Sequence, residues 1–93
     1  MLDVSNQAPV DLAVVTALSA LGWIVQEPAR ADRLLALTGL SPENLRDGVE
    51  NPSILAALLI FLEAHEPDLI ACAEALRIEP LALVRARTTL ETI

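Results

Sequence analysis

The chain has 93 residues, 54% of them hydrophobic, with six Arg, no Lys, thirteen Asp or Glu and a formal charge of −7. A chain this short makes one domain that hides roughly 60–65% of its unfolded surface, too little for two lobes with a cleft between them. One Cys, one His and an acidic balance exclude a disulfide scaffold, a zinc finger and a basic nucleic-acid arm, and an Ala plus Leu content of 33 residues excludes a disordered chain.

Six prolines punctuate the sequence: Pro9, Pro28, Pro42, Pro52, Pro67 and Pro80. Each precedes an apolar-periodic segment, and none is expected inside one. Proline suits the first helical position, where its missing N–H would have had no partner. The pattern predicts helices near 9–25, 29–38, 42–48, 52–64, 67–76 and 80–91, after a flexible tail over 1–8. No stretch alternates at strand length, so no sheet is expected.

In the first helix Val10, Val14, Ala17, Leu18, Leu21, Ile24 and Val25 fall in one wide apolar sector. Asp11, Thr16, Ser19, Gly22 and Gln26 define the wet side, with Leu12, Val15 and Trp23 among them. Leu12 and Trp23, eleven residues apart, lie nearly on one line of the helix. An open Trp–Leu line is surface that partners bury, so Leu12, Val15 and Trp23 are the candidate interface; cover by another helix or by the tail is the alternative. The uncharged stretch Leu12–Gln26 has 15 residues, short of the ~20 that span a bilayer. No Lys or Arg precedes it, so no secretory signal is read and a cytoplasmic protein without membrane contact is expected.

The second helix carries Ala31, Leu34 and Leu35 as its stripe, and Gly39 stands where a left-handed C-terminal cap falls. Ser41 and Asn51 precede prolines and are the expected N-caps of the third and fourth helices. Residues 33–49 also fit a helix-turn-helix, the alternative functional reading. Its recognition face would present Glu43, Asn44, Arg46 and Asp47, followed by Glu50. One cation against three acids is a poor phosphate surface, so nucleic-acid binding is disfavoured.

The fourth helix, with Ile54–Leu62 apolar without a break, must be surrounded by protein and is placed at the centre. Beyond it, His65 lies among Glu63, Glu66 and Asp68. Lacking a second His, it reads as a helix C-terminal side chain paired with a Glu rather than a metal ligand. Cys72 shares the fifth helix's stripe with Leu69, Ala73 and Leu76, as a buried small hydrophobe with no activating cation nearby in sequence. In the last helix Leu83, Ala86, Leu90 and Ile93 repeat at helical spacing. Arg87 is expected to lay its stem on apolar surface and pair its head with an acid. The frame Leu40-Ser41-Pro42 to Leu45 is echoed by Ile78-Glu79-Pro80 to Leu83.

The run Ala17–Ile24, then Arg33–Arg46 with its Leu-Thr-Gly-Leu-Ser-Pro stretch, then Leu55, Leu58, Phe61-Leu62, the acidic turn Glu63–Asp68 and the Pro80–Leu90 helix, resembles a small alphaproteobacterial family of unknown function, number 3572 among the domains of unknown function. The resemblance covers about residues 12–90. It implies a stand-alone, helical, bacterial cytoplasmic protein and brings no activity, substrate or catalytic residue. The expected fold is all-α: a single-domain bundle of about six short helices around the central helix 52–64. The expected role is non-enzymatic, with no cofactor and no metal: a protein-interaction module that can self-associate as a homodimer, its acidic segment 42–68 suited to a basic partner.

Overall fold

A computed structural model describes residues 4–93, with side chains from Ala8 onward. Six helices follow in order: α1 (Val4–Val25), α2 (Pro28–Thr38), α3 (Pro42–Asp47), α4 (Pro52–Glu63), α5 (Glu66–Leu76) and α6 (Pro80–Glu91). There is no strand among the described residues. Pro28, Pro42, Pro52 and Pro80 each open a helix, and Pro67 is the second residue of α5.

Pro9 departs from that rule. Expected to open the first helix, it lies inside α1, which begins at Val4. Residues 4–8, read as tail, are therefore helical, while 1–3 lie outside the described residues. Coming so near the helix start, Pro9 forgoes one backbone bond, to residue 5, and the turn before it carries on.

α1, α4 and α6 make the most extensive mutual contacts, α5 packs on all three, and α2 flanks α1 and α4. α3 packs substantially against no other helix. The core is aliphatic: Ile24, Leu34, Leu55, Leu58, Leu59, Leu62 and Leu83 are fully buried, with Phe61 almost so. No polar or charged side chain is buried with them among the described residues. α4 thus shares the centre with α6 and α1, and it is not wholly enclosed. Ile60 is 46% exposed, beside an open Leu37 on α2.

α1 also differs in which of its sides is inward. The buried line is Ala13, Ala17, Ala20 and Ile24, with Val14 and Leu21 half-buried beside it. Leu18 and Val25, expected in the core, are 40% and 52% exposed. A helix apolar nearly all round has no strong moment to orient it. Side-chain size decides instead, because alanines let neighbouring helices approach where leucines would hold them apart. Ile93, expected on the α6 stripe, lies past the helix end and is exposed.

Three glycines do three different jobs. Gly39 ends α2 at φ +74°, its N–H donating to the Leu35 carbonyl at 3.0 Å. Gly48 closes α3, and a Cβ there would stand 2.7 Å from the Asn44 carbonyl oxygen and 2.8 Å from Ile54. A Cβ added at Gly22, in the last turn of α1, would meet nothing within 4 Å.

Candidate functional site

The outward side of α1 is a largely apolar, open helix face. Leu12 is 66% and Val15 59% exposed, and Leu18 and Val25 continue the face. Ala8, Asp11, Ser19, Gly22 and Gln26 are exposed between and beside them. The spacing of Val15, Leu18, Gly22 and Val25 is three, four, three. That is the interval of a helix-pairing seam. The inward line Ala13, Ala17, Ala20, Ile24 has the spacing four, three, four. One helix therefore carries two seams on roughly opposite sides, and the structure fills only one.

Trp23 is not part of this open face. The two-residue turn Gln26–Glu27 folds α2 back beside the end of α1 and sets the Arg30 guanidinium 3.7 Å from the Trp23 ring centroid. Arg30 Nη2 donates to the Trp23 carbonyl at 2.6 Å, and Nη1 to Glu27 Oε2 at 2.6 Å. Its Nε is buried without a hydrogen-bond partner. The ring packs half-buried against the core. Cation–π stacking with a desolvated Arg satisfies the aromatic face within the chain. The expected line of Leu12 and Trp23 is therefore broken at Trp23, and Leu18 and Val25 take its place. Sequence reading missed them because it assigned both to the core.

Leu12 also borders a shallow groove between α1 and α6 of about 360 Å³, with Ala13, Thr16, Ile78, Ala82 and Arg85. By length and composition, Ala8–Val25 of α1 can cross a bilayer, and 22% of that window is buried. The uncharged stretch had looked too short because Asp11 was counted as its limit. The helix runs past that residue.

The remaining candidate residues are used locally. Ser41 Oγ accepts from Asn44 N–H at 3.0 Å while Asn44 Oδ1 accepts from Ser41 N–H at 3.0 Å, a reciprocal capping box. Asn51 Oδ1 accepts from Ser53 N–H at 2.9 Å. Asn44 is thereby spent on a cap. α3 is only six residues long, with Glu43, Arg46 and Asp47 exposed.

His65 is corrected in position and partner. It does not end α4, whose cap is Ala64; it stands at the N-cap of α5 without a side-chain cap bond. Its Nδ1 lies 3.1 Å from Asp68 Oδ2, which also accepts from Arg33 Nη2 at 2.7 Å. Asp68 thus joins α2 to α5, and Glu63 and Glu66 are not its partners. Cys72 is fully buried, and burial pushes its thiol up to about 11. Arg87 grips Glu63 through Nε at 2.7 Å and Nη2 at 3.0 Å, and Glu91 through Nη1 at 2.6 Å. These carboxylates, Glu63 first, hold its guanidinium still more firmly protonated. Among the described residues no three His, Cys, Asp or Glu side chains gather as a metal site.

Comparison with curated proteins and with solved structures finds no match. A family model does match, the one described as protein of unknown function (DUF3572), over residues 10–92. That span runs from the first inward turn of α1 through the last turn of α6, and the chain belongs to this family.

Proposed function

We propose that the protein is a non-enzymatic interaction module that self-associates through the outward face of α1. One observation carries the reading. Leu12, Val15, Leu18 and Val25 stand between 40% and 66% exposed along a helix whose other side is core. A single exposed Leu is ordinary; a contiguous run is not. Together these side chains offer on the order of 400 Å² of apolar surface, the size of patch that marks interaction sites.

The other readings have less support. A thiol enzyme needs an accessible thiolate, and Cys72 is buried with its pKa raised. A helix-turn-helix over 33–49 would present Arg46 beside Glu43, Asp47 and Glu50, with Asn44 already engaged in its cap. Within the acidic segment Glu63 and Asp68 are consumed by Arg87 and Arg33. That leaves Glu43, Asp47, Glu50 and Glu66 to keep an apolar chain dissolved in the cytoplasm and to favour a basic over an acidic partner.

The test is sedimentation equilibrium of the wild type and of Val15→Glu, with circular dichroism on the same samples. A dimer at about 100 μM is expected, reduced to monomer by the substitution with helical content kept. A wild type that stays monomeric there overturns the reading, since association weaker than that is worth only about 5 kcal/mol.

A further inference from the structure

We infer that the second occupant of the outward α1 seam is another copy of this chain, lying antiparallel about a two-fold axis between Leu18 and Ser19. This rests on the self-association just proposed and specifies its geometry.

The first support is Gly22. It sits in the last turn of α1, still in helical backbone, where alanine is the better helix former. Its backbone does not require it, since only Gly39 among the described glycines has positive φ. Nothing inside the chain requires it either, because an added Cβ would meet no atom within 4 Å. A bare backbone on an exposed seam between Leu18 and Val25 is a hole, and it fits a side chain arriving from outside.

The second support is the self-complementarity of the seam. An antiparallel two-fold at 18/19 sets each Val15 opposite Gly22 of the other copy, a knob over a hole in both directions. Leu18 faces Leu18 and Ser19 faces Ser19. Asp11, the one charged side chain on this face, meets Gln26, whose amide can donate to its carboxylate. A parallel pair in register would instead set Asp11 against Asp11 and Gly22 against Gly22, joining like charges and leaving a void. Antiparallel packing also aligns the helix dipoles favourably.

A bilayer is the competing occupant, given the length of the apolar window. The charges oppose it. The chain carries −7, and its first Lys or Arg is Arg30, so no basic residue of α1 can meet an anionic surface. The inward seam is also built into the core.

Single-cysteine trapping decides the arrangement. Cys72 is buried and stays silent. Under mild oxidation Ser19→Cys is expected to form a disulfide-linked dimer within the wild-type association range. Gln26→Cys alone is expected not to, because the two-fold holds those positions roughly 22 Å apart along the helix. Mixed Asp11→Cys and Gln26→Cys proteins are expected to link to each other. Gly22→Leu, whose Cβ meets no atom of its own chain within 4 Å, is expected to weaken dimerisation at least tenfold while leaving the circular dichroism unchanged. Self-linking of both Ser19→Cys and Gln26→Cys would show parallel pairing and overturn the inference. A dimer trapped at neither position would overturn this geometry and leave self-association standing. A monomer that floats with phosphatidylcholine–phosphatidylglycerol vesicles would overturn both.

Discussion

Two corners of this protein are written in the same frame and built differently. At the α2–α3 corner Gly39-Leu40-Ser41-Pro42 runs from a left-handed residue through an apolar one to an N-cap and a helix-opening proline. At the α5–α6 corner Arg77-Ile78-Glu79-Pro80 does the same. Gly39 takes φ +74° at no steric cost, and Ser41 caps α3 reciprocally with Asn44. Arg77 takes φ +59°, where an L side chain crowds its own backbone, and Glu79 makes no side-chain cap bond.

The second corner is held by what surrounds it. Arg77 N–H donates to the Glu74 carbonyl at 3.1 Å and Ile78 N–H to the Ala73 carbonyl at 3.0 Å, closing the end of α5. Ile78 packs against the core, Leu83 is fully buried, and Arg87 ties α6 to Glu63 on α4. The first corner leads only to α3, which no other helix packs against substantially, with Leu45 alone of its side chains reaching the core cluster. Local chemistry carries the peripheral corner, and tertiary packing carries the central one.

The largest effect should come from removing that packing. Leu83→Ala is expected to cost about 2–5 kcal/mol, enough to unfold much of a small domain, as read by urea denaturation. A loss below about 0.5 kcal/mol would place the anchor of the second corner elsewhere. Next comes the backbone of the first corner. Gly39→Val should destabilise by about 2 kcal/mol and Gly39→Asn by clearly less, because a β-branched residue resists positive φ while Asn tolerates it. Equal thermal midpoints for the two variants would contradict the left-handed cap.

The caps themselves sharpen the contrast. Ser41→Ala should cost about 1 kcal/mol, since it orphans the Asn44 N–H. Glu79→Ala should stay within about 0.5 kcal/mol, as an exposed side chain with no cap bond to lose. The same chemical denaturation series measures both. The smallest effect has the opposite sign: Arg77→Gly should stabilise by about 0.5–1 kcal/mol, relieving the left-handed Arg. A destabilised glycine variant would show that the Arg77 side chain contributes more than its backbone costs.

α1 poses the same question at the level of a surface. Its two seams differ little in hydrophobicity and greatly in size, alanines inward and larger aliphatics outward. Period alone placed Leu18 and Val25 in the core, because both lie at the edge of a sector too wide to have a clear middle. Hydrophobicity predicts burial better on α2, where Leu34 is fully buried while Asp32 and Arg33 are exposed, although Leu37 near its end stays open. It fails where a helix is apolar all round, since shape then selects the inward side.

By itself the sequence determined the local events of this DUF3572 protein: six helices, five of them with proline at or next to the first position, a left-handed glycine after α2 and side-chain caps at Ser41 and Asn51. Those follow from interactions within a few residues, which neighbours in the chain fully specify. Only the tertiary structure decided that Trp23 stacks under Arg30, that Asp68 joins His65 and Arg33, that Gly48 must be small beside Ile54, and that α1 turns its larger side chains outward. Each of these depends on which helix comes to lie against which, and that is settled by volume and close approach across the core.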